Sequence, residues 1–573
     1  MKTAYILIVV LFLVGIQEGV SQEGDSDVYS GTDSAERTTV KSKKISTMPQ
    51  SKDSVMEIAK LQYYLEPAQH DVSFEVQQIK PARLKIIEPL EKLYSGYVKA
   101  AIGMYTTTYL EGYYNSTRSK KSAWGVNVLH HSSLGNIRDL GINKFNDNHL
   151  GGYYKYFFKE HTLKTSLNYD RNSFHYYGFS SSDTLIPEIY RTTADTIKQV
   201  YNLVSFHTEL KSMLRDSAKL NHHVGLDYNF LNGLSKTNEH NLKIGANLFK
   251  YMGKEEIGAD VMLDFNGLQQ NIPLMVTDSI GDSLLSINTN NTIFKVTPYI
   301  FSRGDNWSVK AGLGIYANIG NIAKFHFYPC VEGNYSLFND IFIPYVGLSG
   351  GIKRNTFNSM RLENPFILEN ATIQNTNQKL KVYGGIRGSV SSTISFNLAV
   401  MHEELEGLPI FGMDSTYSYG NKFAVLYDTL SRTTISGQLA YQKLEKIKVY
   451  GKGEYFAYGS GRKEFAWHKP DFKLTLSGTY DLANKILVRA NMFVIGNRKT
   501  YSYSTIEGVE ATDGKYIYSL KPFLDANLGF EYRYNKKLSA FVNFNNFAGK
   551  KYYKWTAYPV QGFNLLGGIT LAF

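Results

Sequence analysis

Between Phe523 and Tyr534 the even positions are apolar (Leu524, Ala526, Leu528, Phe530, Tyr532, Tyr534), and Asp525, Asn527, Gly529, Glu531 and Arg533 stand between them. Successive side chains of a strand point to opposite faces, so this period of two predicts a strand with one oily and one polar face. From 472 to 482 the same text recurs, with Phe472, Leu474, Leu476, Gly478 and Tyr480 set against Lys473, Thr475, Ser477, Thr479 and Asp481. Near the end of the sequence the parity is odd: Phe563, Leu565, Gly567, Ile569, Leu571 and Phe573 form the oily row, and Asn564, Leu566, Gly568, Thr570 and Ala572 the other. A strand of a soluble sandwich has this pattern too, so the alternation alone leaves sandwich and membrane barrel open.

The turns discriminate. Brief connections at 116–122, 159–161, 252–256, 303–306, 336–340, 391–393, 443–446, 482–485 and 534–537 alternate with longer ones at 133–146, 178–197, 266–290, 353–377, 405–420, 460–470 and 497–522. Short turns at one end and long loops at the other are the signature of an outer-membrane barrel, which has an even number of antiparallel strands. Strand starts near 94, 107, 122, 147, 161, 197, 222, 240, 254, 290, 306, 323, 340, 378, 393, 421, 447, 471, 486, 523, 538 and 562 total 22, provided that 422–442 is one long strand and that 106–108, 232–238 and 318–322 are tight tips at the long-loop end. The predicted fold is all-β: a transmembrane antiparallel β-barrel of about 22 strands over 94–573, behind a short N-terminal extension.

Composition agrees with that reading. Aromatic residues make up 14% of the chain, 43 Tyr and 33 Phe, with only 14 Pro. Such a mix suits strands with amphipathic rings at a membrane interface. Residues 1–21 read as a cleaved signal peptide: Lys2, an apolar run from Ala4 to Ile16 too short to span a bilayer, then Gly19 and Ser21. Residues 22–93 are predicted to be a periplasmic extension, polar and disordered to about residue 53, with a short helical pattern and an extended stretch after it that can enter the lumen. The single cysteine, Cys330, excludes an internal disulfide and a Cys-based metal site. A formal charge of +11 in an exported chain points to anionic lipid or to a solvated surface, and away from nucleic acid.

Catalytic and metal chemistry is hard to assemble. His130/His131 and His222/His223 are adjacent on predicted strands, so the two rings of each pair diverge. "HEEL" at 402–405 lacks the second His of a zinc protease motif, no Gly-x-Ser-x-Gly elbow is present, and "GLSGG" at 347–351 lies within a strand, where its glycines read as close strand contact. No catalytic, cofactor or metal residue is assigned. Lys473, Asp525, Glu531 and Arg533 are expected to face the lumen, where they line a path or pair with each other. Tyr458, Phe465, Trp467, Tyr532 and Tyr534 are expected in interface girdles or loop packing.

The stretch "NNFAGKKYYKWTAYPVQGFNLLGGITLAF" resembles the closing segment of TonB-dependent receptors, with matches at Asn546, Phe547, Tyr552, Tyr558, Pro559 and Gly562. The resemblance implies a 22-stranded barrel whose lumen carries an N-terminal plug and an outer-membrane location. It also implies that Phe573, with Leu571 and Ile569, is an insertion signal read by the barrel-insertion machinery. The chain departs from the family ahead of Tyr94, where plug domain and TonB box are both missing. Two functions follow: transport across the outer membrane with the lumen closed by the N-terminal segment, loops or a partner, or a non-transporting scaffold in a larger outer-membrane complex. The expected partners are outer-membrane lipid and lipopolysaccharide, the insertion machinery, and other outer-membrane proteins.

Overall fold

The computed structural model describes residues 93–573 except 136, 138, 185, 213, 215–218, 274–283, 321, 460 and 504–507. The signal peptide and extension predicted for 1–21 and 22–93 lie, but for residue 93, outside the described residues. Strands are numbered in chain order: β1 (Gly96–Gly103), β2 (Thr107–Asn115), β3 (Ser122–Ser133), β4 (Phe145–Phe157), β5 (His161–His175), β6 (Lys198–Ser212), β7 (Asn221–Gly233), β8 (Asn238–Met252), β9 (Glu255–Pro273), β10 (Leu284–Arg303), β11 (Trp307–Ile319) and β12 (Ala323–Tyr335). They continue as β13 (Ile343–Lys353), β14 (Thr376–Ser391), β15 (Ile394–Met413), β16 (Phe423–Lys443), β17 (Ile447–Tyr458), β18 (Phe472–Leu482), β19 (Ile486–Ile495), β20 (Arg498–Ser502), β21 (Ala511–Thr512), β22 (Lys515–Leu520), β23 (Phe523–Arg533), β24 (Leu538–Asn545), β25 (Tyr553–Trp555), β26 (Tyr558–Pro559) and β27 (Asn564–Ala572). β20–β22 and β25–β26 form two small sheets in the loops, and the other 22 strands make one antiparallel sheet.

The sheet closes on itself. β27 pairs with β24 on one side and with β1 on the other, in register from Tyr97↔Ala572 through Lys99↔Thr570 to Gly103↔Leu566. The main chains of Gly96 and Phe573 then exchange two hydrogen bonds, 2.8 and 2.9 Å. Every expected barrel strand is present, and the furthest start is β10, at 284 where 290 was expected. The segment read as one long strand is β16, and the three tight tips do lie at the long-loop end.

The parity reading holds in three dimensions. On β27 the odd row is exposed, Ile569 at 56% and Phe573 at 51%, and Leu566 and Thr570 of the even row are each 1% exposed. Leu566 packs inside against Ala101, Tyr109 and Phe541. On β23 Leu524, Phe530 and Tyr532 face out and Asp525 and Glu531 are buried. Trp124, Leu150, Leu167, Ile244, Leu313, Ile435 and Val449 continue the exposed apolar band around the wall.

Two expectations are corrected. The loops expected at 266–290 and 405–420 are shorter, because β9 runs to Pro273, β10 begins at Leu284 and β15 runs to Met413. These ends have polar residues on both faces ("NGLQQ", "SINTNN", "HEELEG"), so a pattern based on an oily face stops before the ladder does.

Closure depends on room for backbone at the junction. A Cβ on Gly568 would lie 2.1 Å from the Ala100 carbonyl oxygen and 2.6 Å from Ala101 Cβ, while one on Gly567 meets nothing nearer than 3.9 Å. Gly568→Val should therefore strongly reduce the closed, heat-modifiable form on unboiled gels, and Gly567→Val should leave it near wild type. Equal behaviour of the two variants would refute this account of closure.

Candidate functional site: a lumen closed by its own loops

A 22-stranded barrel is wide enough to need filling. The long-loop end is filled by residues 354–375, the connection from β13 to β14, which crosses the mouth. Its helix α1 (Phe357–Glu363) starts with a capping box in which Thr356 and Ser359 each accept the other's backbone N–H. The buried Glu239 of β8 accepts from the N–H groups of Phe357 (2.7 Å) and Asn358 (2.9 Å), and from Asn266 Nδ2 (3.1 Å). One wall carboxylate thus satisfies two of the donors that a helix start leaves open.

The crossing segment is tied at both ends and in its middle. At its root Arg354 Nε donates to Asp264 Oδ1 at 3.0 Å, and its other nitrogens reach the Asp264 carbonyl and Asn291. In the middle, both carboxylate oxygens of Glu369 stand 3.0 Å from Lys422 Nζ, and Oε1 also accepts from Tyr176 Oη and Gln199 Nε2, each 3.1 Å. Gln270 Nε2 donates to the carbonyls of Glu369 (2.8 Å) and Ala371 (3.0 Å). At the far root Asn375 Nδ2 donates to Asn291 Oδ1 (2.6 Å) and Asn318 Oδ1 (3.1 Å). Partners from β6, β9, β10 and β11 make this segment a crossbar.

An apolar core lies under the ties. Phe357, Met360, Ile367 and Ala371 of the crossbar pack with Tyr201, Leu231 and Leu268 from one wall and Phe411, Phe423 and Val425 from another. Phe366 stacks on Tyr558 with centroids 3.5 Å apart. Arg361, buried and pulled below its usual pKa by desolvation, lies over the Tyr201 ring at 4.9 Å.

The closing-motif residues meet this core as a folded loop. Tyr558 and Trp555 are core members; Tyr558 Oη donates to the Asn421 carbonyl, and the Pro559 carbonyl accepts from Tyr177 Oη at 3.0 Å. Tyr552 stacks on Phe523 at 3.9 Å and donates to Asp525 at 2.5 Å. Asn546 Nδ2 donates to the carbonyls of Lys550 and Gln561, Phe547 is exposed, and Gly562 has only Tyr105 and Gly549 at the edge of reach. The structure does not gather these six residues into one site. Phe573, Leu571 and Ile569 stand together on the outer face, away from the mouth.

The lumen charges pair with neighbours across the sheet rather than with one another. Arg489 and Glu531 are 2.7 Å apart, Arg533 and Asp481 2.6 Å, and Lys473 Nζ lies 5.8 Å from the Phe456 ring. Glu403 of "HEEL" points inward to Arg432 at 2.6 Å. His222 and His223 diverge, the first against the His161 ring and the second onto Glu209. Among the described residues no group of three or more His, Cys, Asp and Glu is placed to hold a metal. Trp467 and Phe465 pack in the mouth beside Tyr501, while Tyr532 and Tyr534 stand exposed on the wall.

Sequence reasoning missed Glu239, Arg354, Glu369 and His468; Glu239 lies on the polar row of β8, and the other three sit in no periodic pattern. His468 is 5% exposed; its Nδ1 donates to the Phe411 carbonyl at 2.7 Å, and Nε2 accepts from the Thr500–Thr556 hydroxyl pair, whose oxygens lie 3.1 and 2.9 Å away. Burial lowers its pKa from 6.5 to about 3. The unfolded loop binds this proton below pH 6.5 and the folded one only near 3, so stability is full above 6.5 and falls as pH drops toward 3, by up to about 1.4 kcal/mol per pH unit. The thermal transition seen by Trp467 and Trp555 fluorescence should move down from pH 7 to pH 5, and His468→Gln should abolish most of that shift; a transition independent of pH in the wild type would count against it.

No protein-family model matches the sequence, and no curated protein does. Solved structures do. The pyoverdine outer membrane receptor FpvA of Pseudomonas aeruginosa PAO1 aligns over 85% of this chain and 79% of its own, at 13% identity and TM-score 0.61. The FrpB iron transporter of Neisseria meningitidis (F5-1 variant) aligns over 84% and 83%, at 8% identity and TM-score 0.62. The ferric-catecholate import receptor Fiu of E. coli K12 aligns over 84% and 82%, at 11% identity and TM-score 0.58. In fold, the described chain is a 22-stranded barrel similar to the barrels of these outer-membrane proteins.

Proposed function

We propose that the chain is an outer-membrane transport barrel whose route is closed at the long-loop mouth by residues 354–375 and, at the other end, by the N-terminal segment or a partner. The observation that carries this reading is the crossbar: a receptor-type barrel whose own loop spans the mouth through Arg354, Glu369 and a buried aromatic core. Similarity to an iron transporter, a pyoverdine receptor and a ferric-catecholate import receptor supports transport as the activity class, while the identity of any cargo does not carry over. The second reading is a scaffold subunit of an outer-membrane complex. It is favoured by the same crossbar, whose many ties suit a permanently closed mouth.

Conductance separates the two. Removing one partner of a buried ion pair costs about 3–5 kcal/mol, so Arg354→Ala combined with Glu369→Ala should loosen the crossbar and raise single-channel conductance in planar bilayers, further so when residues 22–92 are also removed. If none of these chains conducts more than the full-length protein, the transport reading fails. A second outer-membrane protein that co-purifies in gentle detergent would then speak for the scaffold.

The outward row Ile569, Leu571 and Phe573 is our assignment for recognition by the barrel-insertion machinery, with outer-membrane lipid and lipopolysaccharide against the rest of the apolar band. Phe573→Ala should slow machinery-assisted insertion several-fold and leave spontaneous folding into detergent unchanged. Equal insertion rates would remove the assignment.

A further inference from the structure

The junction between β12 and β13 is unlike its neighbours. β11 and β12 pair along their whole length, from Trp307↔Tyr335 to Ile319↔Ala323, and β13 and β14 pair from Ile343↔Arg387 to Lys353↔Thr376. Between β12 and β13 the ladder runs only from Asn334↔Tyr345 to Val331↔Leu348. Toward the long-loop end, 323–330 of β12 and 349–353 of β13 face each other without strand pairing. At about 3.3 Å per residue, the unzipped part of β12 is roughly 25 Å long.

Two tyrosine rings stand where the ladder stops. A Cβ on Gly350 would meet Tyr328 Cδ1 at 2.5 Å, and one on Gly351 would lie 3.1 Å from Tyr316 Oη, so the rings rest on bare backbone. The close strand contact expected of "GLSGG" is present beside them, since the same Cβ on Gly350 would lie 2.9 and 3.1 Å from the Gln378 and Lys379 carbonyl oxygens of β14. Tyr328 Oη reaches past β13 to donate to Asn377 Oδ1 of β14 at 2.6 Å. The rings meet edge to face at 5.2 Å and pack with Ile293 and Ile352. A register shift in β13 between Ser349 and Gly351 accommodates them.

Outside, this junction opens onto the apolar band. Phe325 and Phe327 of β12 are 69% and 65% exposed, with Leu313, Ile315 and Ile319 of β11 beside them. Unpaired main-chain groups facing hydrocarbon are costly, and irregular backbone at membrane depth is tolerated where it lines a cavity or is covered by protein. Elsewhere the wall can part only by breaking a longer ladder; here it is held by four ladder pairs and, beyond them, by the Tyr328–Asn377 hydrogen bond and two rings. The mouth, by contrast, is closed by the crossbar.

We propose that the β12–β13 junction is a lateral gate, latched by Tyr328 on Asn377, through which an amphiphilic molecule passes between the lumen and the surrounding membrane. A molecule using this path meets Phe325 and Phe327 on one side and the polar lumen wall, Lys310 and Glu332 among it, on the other. Both a polar part and an apolar chain are needed to be stable on the two sides. The proposal rests on the transport reading for the existence of a cargo; the gate itself rests on the junction.

Cys330, the only thiol, lies on the lumen face of β12 beside the last paired residue and serves as the probe. In proteoliposomes, N-dodecylmaleimide partitioned into the bilayer should label it slowly in the wild type and at least threefold faster in Tyr328→Phe and in Asn377→Ala. A charged, water-soluble maleimide should react at the same rate in all three, with Cys330→Ser as the blank and heat-modifiable mobility as the folding check. No labelling from the bilayer, or one rate across the three chains, overturns the gate. Conductance is a separate readout, so accelerated labelling in a chain whose crossbar variants do not conduct would leave the gate standing without the pore.

Discussion

Main-chain hydrogen bonding decides most of this architecture. A strand facing hydrocarbon has no water to satisfy its N–H and C=O groups, so the sheet must close and each strand must find two neighbours. Closure happens where Lys99 faces Thr570 and where Gly96 and Phe573 exchange their final pair of hydrogen bonds. Glycine at 568 gives the junction the room it needs on the inner face. Once the ladder is closed, parity has no freedom left. Ile569 must face out because Thr570 faces in, and the same choice propagates through β23 to bury Asp525 and Glu531.

The interior then has to deal with charges that the parity rule delivers to it. It does so locally: Arg489 with Glu531 and Arg432 with Glu403 across adjacent strands, and Arg533 of β23 with Asp481 of β18 past the intervening β19. Such pairs add little net stability over apolar residues, because the desolvation they require offsets most of their attraction. Their effect is to fix neighbours in register on a face that cannot rely on an oily core. The long-loop mouth solves a different problem, closing a wide opening, and there the solution is a true core with Phe357, Tyr201, Phe411, Phe423 and Tyr558 at its centre.

The difference explains what was legible beforehand. Strands have a period of two and a lipid-facing side, so 22 of them could be placed from the alternation and the turns, and errors appeared only where β9, β10 and β15 rise past the apolar band and both faces become polar. The crossbar has no period. Arg354, Glu369 and His468 lie in stretches whose composition resembles any surface loop, and their partners Asp264, Lys422 and Thr556 are distant in sequence. Proximity made by closure of a barrel cannot be read from spacing along the chain. "GLSGG" was a halfway case: glycines in a strand signalled close approach, yet nothing local could name Tyr316 and Tyr328 as what approaches.

The mouth and the β12–β13 junction are joined through one stretch of chain. Gly350 and Gly351, on which the tyrosine rings rest, stand four and three residues before Arg354, the root of the crossbar. The crossbar returns at Asn375, tied to Asn291 and Asn318, and two residues later comes Asn377, the acceptor of the Tyr328 hydroxyl. Ile352 packs with the same two tyrosines, immediately before Lys353 and the Arg354–Asp264 ion pair. Both roots of the loop that closes the mouth are therefore continuous with β13 and β14, the side of the junction onto which Tyr328 of β12 latches. Displacement of residues 354–375 by anything pressing on the mouth is transmitted within a few bonds to Gly350 and Asn377, whereas β12 is anchored to β11 through a complete ladder. A load on the crossbar falls on the one junction in the wall that main-chain hydrogen bonds hold least.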